Sequence, residues 1–133
     1  ASTVEEWLTA AEYLIVNGCT RVVLCERGLR SFDPSTRNLL DLGAVAVAKQ
    51  LSHLPVVVDP SHAAGARRLV PALARAALAV GADGLIVEAH PDPLNAFSDA
   101  AQQLESGKFD RFLADMAPWI ELARKEREIL NVT

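Results

Sequence analysis

The segment that decides the fold is PVVVDPSH at residues 55–62, where an unbroken apolar run leads directly into polar residues. A similar run precedes it in VVLCERG at 22–28, and another follows it in LIVE at 85–88. Short runs that are apolar at every position are typical of strands buried on both faces, as in parallel sheets. The sequence therefore predicts three parallel strands over these runs, each followed by a polar loop.

Segments with helical periodicity separate the strands. The predicted strands cover 22–25, 55–58 and 85–87, and the predicted helices cover 2–17, 37–51, 66–80 and 109–130. A capping box from Ser2 to Glu5 is expected to start the first helix, whereas Pro71 and Pro118 are expected to delay or interrupt the last two. Strands that end about 30 residues apart, with helices between them, indicate βαβ units and a parallel sheet.

Three strands are few for an independent sheet of this kind. A three-stranded parallel sheet leaves two open edges, and strands of the buried type are prone to pair with other chains there. The count fits half of a (β/α)₈ barrel, which takes about 250 residues when it is complete. A chain of 133 residues is one domain or a piece of a larger one. We therefore expect an α/β half-barrel over 1–133, as part of a larger domain.

Composition and charge narrow the classes of function. Half of the residues are hydrophobic and 23% are charged, as in a packed soluble domain. Asp and Glu outnumber Lys and Arg by 17 to 13, and the resulting net charge of −4 disfavours nucleic acid or an anionic membrane as partner. No apolar run is long enough to span a membrane, and the first residues do not resemble a secretory signal. Cys19 and Cys25 are badly placed to bridge each other, so we expect reduced thiols and a cytoplasmic location.

Three residues that follow the predicted strands offer metal ligands. His62 lies after the second strand, Glu88 directly after the third, and Asp99 further along the same loop. One imidazole and two carboxylates suit Mn²⁺, Fe²⁺ or Zn²⁺ with open coordination positions. The alternative is structural: His62 caps the next helix, Glu88 pairs with Arg27, and Asp99 caps a turn.

Arg27 is a fixed cation at the end of the first predicted strand. It could bind a phosphate or a carboxylate through two hydrogen bonds. The alternative is an ion pair with Glu26 or Glu88. Cys25 precedes it by two positions, and we expect this thiol to be a buried core residue and not a metal ligand.

Several motifs occur in order along the chain. They are LCERG at 24–28, TRN at 36–38, VDPSH at 58–62, GADG at 81–84, EAHPDP at 88–93, SD at 98–99 and QQL at 102–104. Together they resemble the C-terminal half of a 3-deoxy-D-arabino-heptulosonate 7-phosphate (DAHP) synthase, of the type I family that is also similar to 3-deoxy-octulosonate 8-phosphate (KDO8P) synthase. The resemblance extends from the first residue to about residue 120.

The resemblance implies a (β/α)₈ barrel that condenses phosphoenolpyruvate with erythrose 4-phosphate, the first step of the shikimate pathway. His62, Glu88 and Asp99 match the metal ligands of that family, with Mn²⁺ as the expected metal and Fe²⁺, Zn²⁺ or Co²⁺ as alternatives. The metal would polarise the sugar aldehyde, and His62 and Asp99 would act as catalytic residues. Arg27, His62 and Arg37 are the expected substrate-binding residues, with Arg27 on phosphoenolpyruvate.

The same resemblance also raises open questions. The family's fourth metal ligand is a cysteine on a strand that this sequence lacks, and neither Cys19 nor Cys25 matches it. We therefore expect the chain alone to be inactive, and we expect a homo-oligomer. The PDP sequence at 91–93 favours the heptulosonate branch. The alternatives are a non-catalytic half-barrel that associates with another chain, and a KDO8P synthase that uses arabinose 5-phosphate.

Overall fold

A computed structural model describes residues 2–130 of the chain, so Ala1 and residues 131–133 of the predicted 1–133 unit lie outside it. The helices are α1 (Val4–Val16), α2 (Leu42–Leu51), α3 (Pro60–Ala64), α4 (Val70–Ala79) and α5 (Phe109–Leu130), and the strands are β1 (Leu24–Glu26), β2 (Val56–Val58), β3 (Gly84–Leu85), β4 (Ala89–His90) and β5 (Leu104–Glu105). Single 3₁₀ turns cover Arg67–Leu69, Pro93–Asn95 and Ser106–Lys108. Within residues 2–130, no helix combines the length and the apolar character needed to cross a membrane.

The strands confirm the predicted parallel arrangement. β1, β2 and β3 form a parallel sheet in that order, with Cys25 opposite Val57 and Val58 opposite Leu85. β4 and β5 form a second parallel pair. The predicted strand at 85–87 is therefore wrong in its bounds, because the chain changes partner there. The amide of Ile86 still donates to β2, whereas the carbonyl of Glu88 already accepts from β5.

The helices cover one face of the β1-β2-β3 sheet. Val56 and Val58 are fully buried, whereas Val57 between them is only half-buried. Val23 and Ile86 are 55% and 47% exposed. The expectation of strands buried on both faces is therefore not met within the described residues, because no element in this part of the chain covers the second face.

Two apolar clusters hold the helices to the strands. The first joins α1 and α2 to β1 and β2 through residues such as Val45 and Val56. The second joins α4 and α5 to β5 through residues such as Val70 and Met116. Leu85 packs against both clusters, so the third strand links the two halves of the core.

The first two helices begin later than their sequence patterns suggest. The capping box of α1 is formed by Thr3 and Glu6 and not by Ser2 and Glu5. α2 begins at Leu42, with Asp41 as its N-cap, and not at residue 37. The difference arises because a bridge between Leu29 and Leu39 holds the preceding segment extended.

The two helices that contain an internal proline differ from each other. The predicted late start at Pro71 is confirmed, since a 3₁₀ turn comes first and α4 begins at Val70. The interruption predicted at Pro118 is wrong, because α5 continues through it. Met116 and Ala123, on either side of Pro118, are both buried, and this packing stabilises the helix across the missing amide.

Asp83 ties three elements together just before β3. Its Oδ2 accepts from the Lys49 Nζ of α2 at 2.7 Å and from the Val56 amide of β2 at 2.8 Å, and its Oδ1 accepts from the Arg127 Nη1 of α5 at 3.1 Å. Burial alone would raise the pKa of Asp83, but the hydrogen bonds from Lys49 and Val56 and the charges of Lys49 and Arg127 outweigh it and lower that pKa.

We predict that Asp83→Asn lowers the free energy of unfolding by about 1–3 kcal/mol, because it removes a partly buried ion pair and weakens a charge-assisted hydrogen bond. The pKa of Asp83 is lower in the folded chain than in the unfolded chain. The stabilisation that its carboxylate provides is therefore complete above the ordinary value of 3.8 and is lost as pH falls through the folded pKa. Urea denaturation at pH 7 and pH 3 measures it, with the exposed Asp115→Asn as control. If the free energies of unfolding of wild type and Asp83→Asn differed by the same amount at pH 7 and at pH 3, the assignment would be contradicted.

Candidate metal centre

The end of β2 positions His62 through the buried carboxylate of Asp59. Asp59 is 3% exposed and is the N-cap of α3, where its Oδ1 accepts from the His62 amide at 3.0 Å. Its Oδ2 lies 2.6 Å from Nδ1 of the His62 ring. A neutral imidazole that donates through Nδ1 carries its lone pair on Nε2. His62 therefore lies within α3 and presents Nε2 as a ligand atom, while Asp59 makes the cap.

Glu88 and Asp99 face this nitrogen from two other segments. Glu88 lies between β3 and β4, where its amide donates to the Ser61 hydroxyl at 3.1 Å, and its Oε1 is 3.6 Å from His62 Nε2. Asp99 lies in the loop at 98–103 with a φ of 53°, and its Oδ2 is 3.7 Å from the same nitrogen. Ligand atoms of the three residues all lie within 4.8 Å of one another. The structure thus brings together the three residues predicted as ligands.

The donor set of this cluster fits a divalent cation. One imidazole nitrogen and two carboxylate oxygens converge, and the two negative charges match the charge of the ion. No pairing of Glu88 with Arg27 appears within residues 2–130, where Glu88 Oε1 instead lies 3.6 Å from His62 Nε2. Within the same part of the chain, no other group of His, Cys, Asp and Glu converges in this way.

Arg37 lies beside the cluster and contacts one of its carboxylates. Its Nη1 donates to Asp99 Oδ1 at 2.5 Å and to Gln102 Oε1 at 2.9 Å. The extended segment before α2 brings it there, because the Asn38 amide donates to the Ala63 carbonyl at 2.9 Å. Its side chain is 48% exposed, so part of the guanidinium also faces solvent. Its predicted role in binding substrate stays a prediction.

Arg27 pairs with neither of the carboxylates considered from the sequence. Its Nε lies 3.8 Å from Asp59 Oδ2, and the side chain is 62% exposed. Glu26 instead accepts from the amides of Gly28 and Asp41 at 2.7 and 3.3 Å. Burial raises the pKa of Glu26 against the lowering effect of these two hydrogen bonds. Glu26 therefore shapes the turn that carries Arg27 and leaves most of this guanidinium open to an anion.

A cavity of about 430 Å³ adjoins Arg27 and is also lined by Cys25. Cys25 is half-buried and not fully buried, so its interpretation as a core residue holds only in part. Burial, together with the charges of Asp59 and Glu26, raises the pKa of this thiol. A thiol with a raised pKa stays protonated at neutral pH, and Cys25 is not part of the ligand cluster.

Two residues of the site were given no role from the sequence alone. Asp59 orients His62, and Gln102 connects Arg37 to Glu88. Asp59 directly precedes a proline and lies three positions before His62. This spacing is typical of a helix N-cap whose carboxylate can also reach the imidazole ring. Gln102 carries no comparable local signal, because its partners lie 14 and 65 positions away.

A family model described as the DAHP synthetase I family matches residues 1–122. The chain belongs to the DAHP synthetase I family. This confirms the resemblance expected from the motifs.

Curated relatives in and near the DAHP synthetase I family are longer than this chain. The phospho-2-dehydro-3-deoxyheptonate aldolase of Thermotoga maritima is 50% identical over 115 residues, which cover 86% of this chain and 34% of that protein. The 2-dehydro-3-deoxyphosphooctonate aldolase of Edwardsiella ictaluri is 38% identical over 112 residues, which cover 74% of this chain and 38% of that protein. The chain thus spans just over a third of the length of these relatives.

A solved structure supports the fold of this DAHP synthetase I chain. The crystal structure of DAHP synthase from Thermotoga maritima matches with a TM-score of 0.87 and 48% identity, covering 91% of this chain and 36% of that chain. A truncated form of this synthase also matches with a TM-score of 0.87, and the match covers 46% of that truncated chain. The parallel strands and flanking helices are therefore part of a (β/α)₈ barrel.

We predict that Gly28→Ala destabilises this DAHP synthetase I chain more than Gly18→Ala. Both glycines have a φ of 93°, which costs roughly 1–2 kcal/mol for an L-residue. A Cβ at Gly28 would lie 2.7 Å from the Cβ of Asn38, whereas at Gly18 nothing lies within 4 Å. The additional loss for Gly28→Ala is on the order of 1–3 kcal/mol, measured by chemical denaturation. Equal losses would show that the turn behind Arg27 has room for a side chain.

We predict that Asp59→Asn weakens Mn²⁺ binding by roughly 10- to 100-fold, because the imidazole loses the carboxylate that fixes its tautomer. Titration followed by the electron paramagnetic resonance of free Mn²⁺ measures it. Asp41→Asn is the matched control, since Asp41 caps α2 through the Ala44 amide in the same way but lies outside the ligand cluster. Equal weakening in the two variants would show that the caps, and not the Asp59 to His62 contact, determine affinity.

Proposed function

We propose that this chain is the metal-bearing, C-terminal half of a (β/α)₈-barrel DAHP synthase. The whole enzyme would condense phosphoenolpyruvate with erythrose 4-phosphate and release phosphate, as the first step of the shikimate pathway. The observation that carries the proposal is the convergence of His62 Nε2, Glu88 Oε1 and Asp99 Oδ2 at the carboxyl ends of parallel strands. Active sites of (β/α)₈ barrels are built at this end of the strands.

The residues of the site divide into three roles in this proposal. His62, Glu88 and Asp99 hold a divalent metal, with Mn²⁺ as the first choice. When bound, such an ion acts as a Lewis acid toward the carbonyl oxygen of the sugar phosphate. In this proposal His62 and Asp99 are also the catalytic residues: Asp99, beside the metal, would move protons, and His62 would lie beside phosphoenolpyruvate. Arg27 binds the phosphate or carboxylate of phosphoenolpyruvate, because its exposed guanidinium can offer two parallel donors.

Arg37 would contribute to substrate binding from its position beside Asp99. Its Nη1 already donates to Asp99 and Gln102, and the exposed part of the guanidinium can bind a substrate anion. A cation held this way is oriented before substrate arrives, so less freedom is lost on binding. Arg37 therefore combines the two roles of holding a ligand and attracting an anion.

The identity values support the heptulosonate branch over the octulosonate branch. The heptonate aldolase of Thermotoga maritima is 50% identical, whereas the octonate aldolase of Edwardsiella ictaluri is 38% identical. The PDP sequence at 91–93, which enters the turn Pro93–Asn95, points the same way. We therefore propose erythrose 4-phosphate, and not arabinose 5-phosphate, as the sugar phosphate.

The proposal also covers the rest of the barrel, the oligomeric state and the cellular location. Within residues 2–130, β2 alone pairs on both sides, and the other four strands each pair on one side only, which supports a second half-barrel that completes the wall. The exposed Val23 and Ile86 on the uncovered face support the same conclusion. We infer that the chain by itself forms a homo-oligomer, because such open edges favour association until a second half-barrel covers them. The free thiols of Cys19 and Cys25 support a cytoplasmic location.

The function is tested in a chimera in which this chain replaces the corresponding C-terminal residues of the Thermotoga maritima enzyme. We predict phosphate release from phosphoenolpyruvate that depends on erythrose 4-phosphate and on Mn²⁺, and none from the chain alone. His62→Ala abolishes the activity, whereas Cys25→Ser retains most of it, because Cys25 lies outside the ligand cluster. The assay follows phosphate release with either sugar phosphate.

The outcomes of this assay separate the alternatives. Activity with arabinose 5-phosphate alone would assign the KDO8P branch, and a folded but inactive chimera would support a non-catalytic half-barrel. Within an active chimera, Arg27→Ala should raise the KM for phosphoenolpyruvate roughly 10- to 150-fold, as expected for one charge-assisted contact. Arg21→Ala, on an exposed position outside the cavity, is its control. Equal rises in KM for both substrates would contradict the role of Arg27.

A further inference from the structure

We propose that Gln102 is a positioning residue of the candidate metal centre, where its side-chain amide selects the Glu88 oxygen that faces the metal. The inference rests on the proposed metal site and adds a residue to it. Gln102 Nε2 donates to Glu88 Oε2 at 2.5 Å, and Gln102 Oε1 accepts from Arg37 Nη1 at 2.9 Å. The side chain therefore joins a predicted ligand to a cation that contacts another ligand.

The orientation of the Gln102 amide follows from the chemistry of its neighbours. A guanidinium has only donors, so the amide oxygen must face Arg37. A carboxylate has only acceptors, so the amide nitrogen must face Glu88. The reverse orientation would place donor against donor and acceptor against acceptor. The two neighbours thus hold the amide in one orientation.

Burial makes this orientation costly to lose. Gln102 is 2% exposed, although it lies in the 98–103 loop and not in a helix or strand. The backbone amide of Gln102 donates to the Asp99 carbonyl at 3.1 Å, and the backbone amide of Arg67 donates to the neighbouring Ala101 carbonyl at 2.8 Å. Without these partners the buried side chain would be left with unpaired donors and acceptors, so the contacts of Gln102 constrain it strongly.

Gln102 completes a pattern that all three predicted ligands share. Glu88 has Oε2 occupied by Gln102 and presents Oε1. Asp99 has Oδ1 occupied by Arg37 and presents Oδ2. His62 has Nδ1 occupied by Asp59 and presents Nε2, so each ligand offers one remaining atom to the centre.

The pattern predicts what removal of the amide does. Without Gln102, Glu88 Oε2 loses its partner, and the carboxylate is free to rotate or to draw Arg37 away from Asp99. Both changes disorganise the ligand set before the metal arrives, and partners of metal ligands typically change affinity by about 10- to 100-fold when they are lost. Gln102 therefore controls affinity although it does not touch the metal.

The test is Mn²⁺ titration of the wild-type chain and of Gln102→Met, which keeps the volume of the side chain and removes both hydrogen bonds. Free Mn²⁺ is measured by electron paramagnetic resonance, well below the melting temperature of each variant. We expect 10- to 100-fold weaker binding for Gln102→Met. Gln103→Met is the matched control, because Gln103 is 9% exposed and donates only to the Ser98 carbonyl. It should bind like wild type.

The outcomes distinguish this inference from the proposed function. Absence of Mn²⁺ binding by wild type would overturn the proposed centre and the inference with it. Binding by wild type with no loss in Gln102→Met would overturn the inference alone. Equal losses in Gln102→Met and Gln103→Met would also overturn it, because they would assign the effect to the loop as a whole. Gln102→Ala serves as a second variant, which removes both hydrogen bonds without placing another long side chain in the buried position.

Discussion

The buried carboxylate of Asp59 connects the sheet to the site. Its backbone amide continues the β1 to β2 ladder by donating to the Glu26 carbonyl at 2.8 Å. One carboxylate oxygen begins α3, and the other holds the His62 ring. The Nε of Arg27 lies 3.8 Å from the same Oδ2 of Asp59. Because this one group belongs to the strand, the helix cap and the ring contact, the direction of His62 Nε2 is determined by the sheet itself.

Electrostatics explains why the remaining ligands need partners. Glu88 and Asp99 present two carboxylates to one imidazole, and like charges at this distance repel each other. Arg37 offsets part of this repulsion directly at Asp99 and, through Gln102, at Glu88. A divalent cation would offset the rest, and binding to the folded chain alone would stabilise it. The proposed metal would thus balance charges that Arg37 offsets only in part.

The sequence allowed the main features of the fold, and the closeness of the candidate ligands, to be predicted because both follow from local patterns. The VVV run before Asp59 marked β2, and polar residues after each strand marked His62 and Glu88 as neighbours. β4 and β5 were missed, because strands of only two residues each leave no periodic signal. The start of α2 was placed too early, since the bridge of Leu29 to Leu39 overrides helical propensity there.

The roles within the site were harder to predict than its members. The partner of Arg27 is Asp59, which lies on another strand, and Gln102 acts only through contacts between separate loops. Such contacts depend on the tertiary arrangement, whereas the closeness of the candidate ligands follows from the shared edge of parallel strands.

Anomalous diffraction at the manganese edge, from crystals of this chain soaked in Mn²⁺, tests the central claim most directly. The account predicts a single strong peak within coordinating distance of His62 Nε2, Glu88 Oε1 and Asp99 Oδ2. A peak that avoids these three atoms, or occupied Mn²⁺ sites only at other carboxylates on the surface, would contradict it.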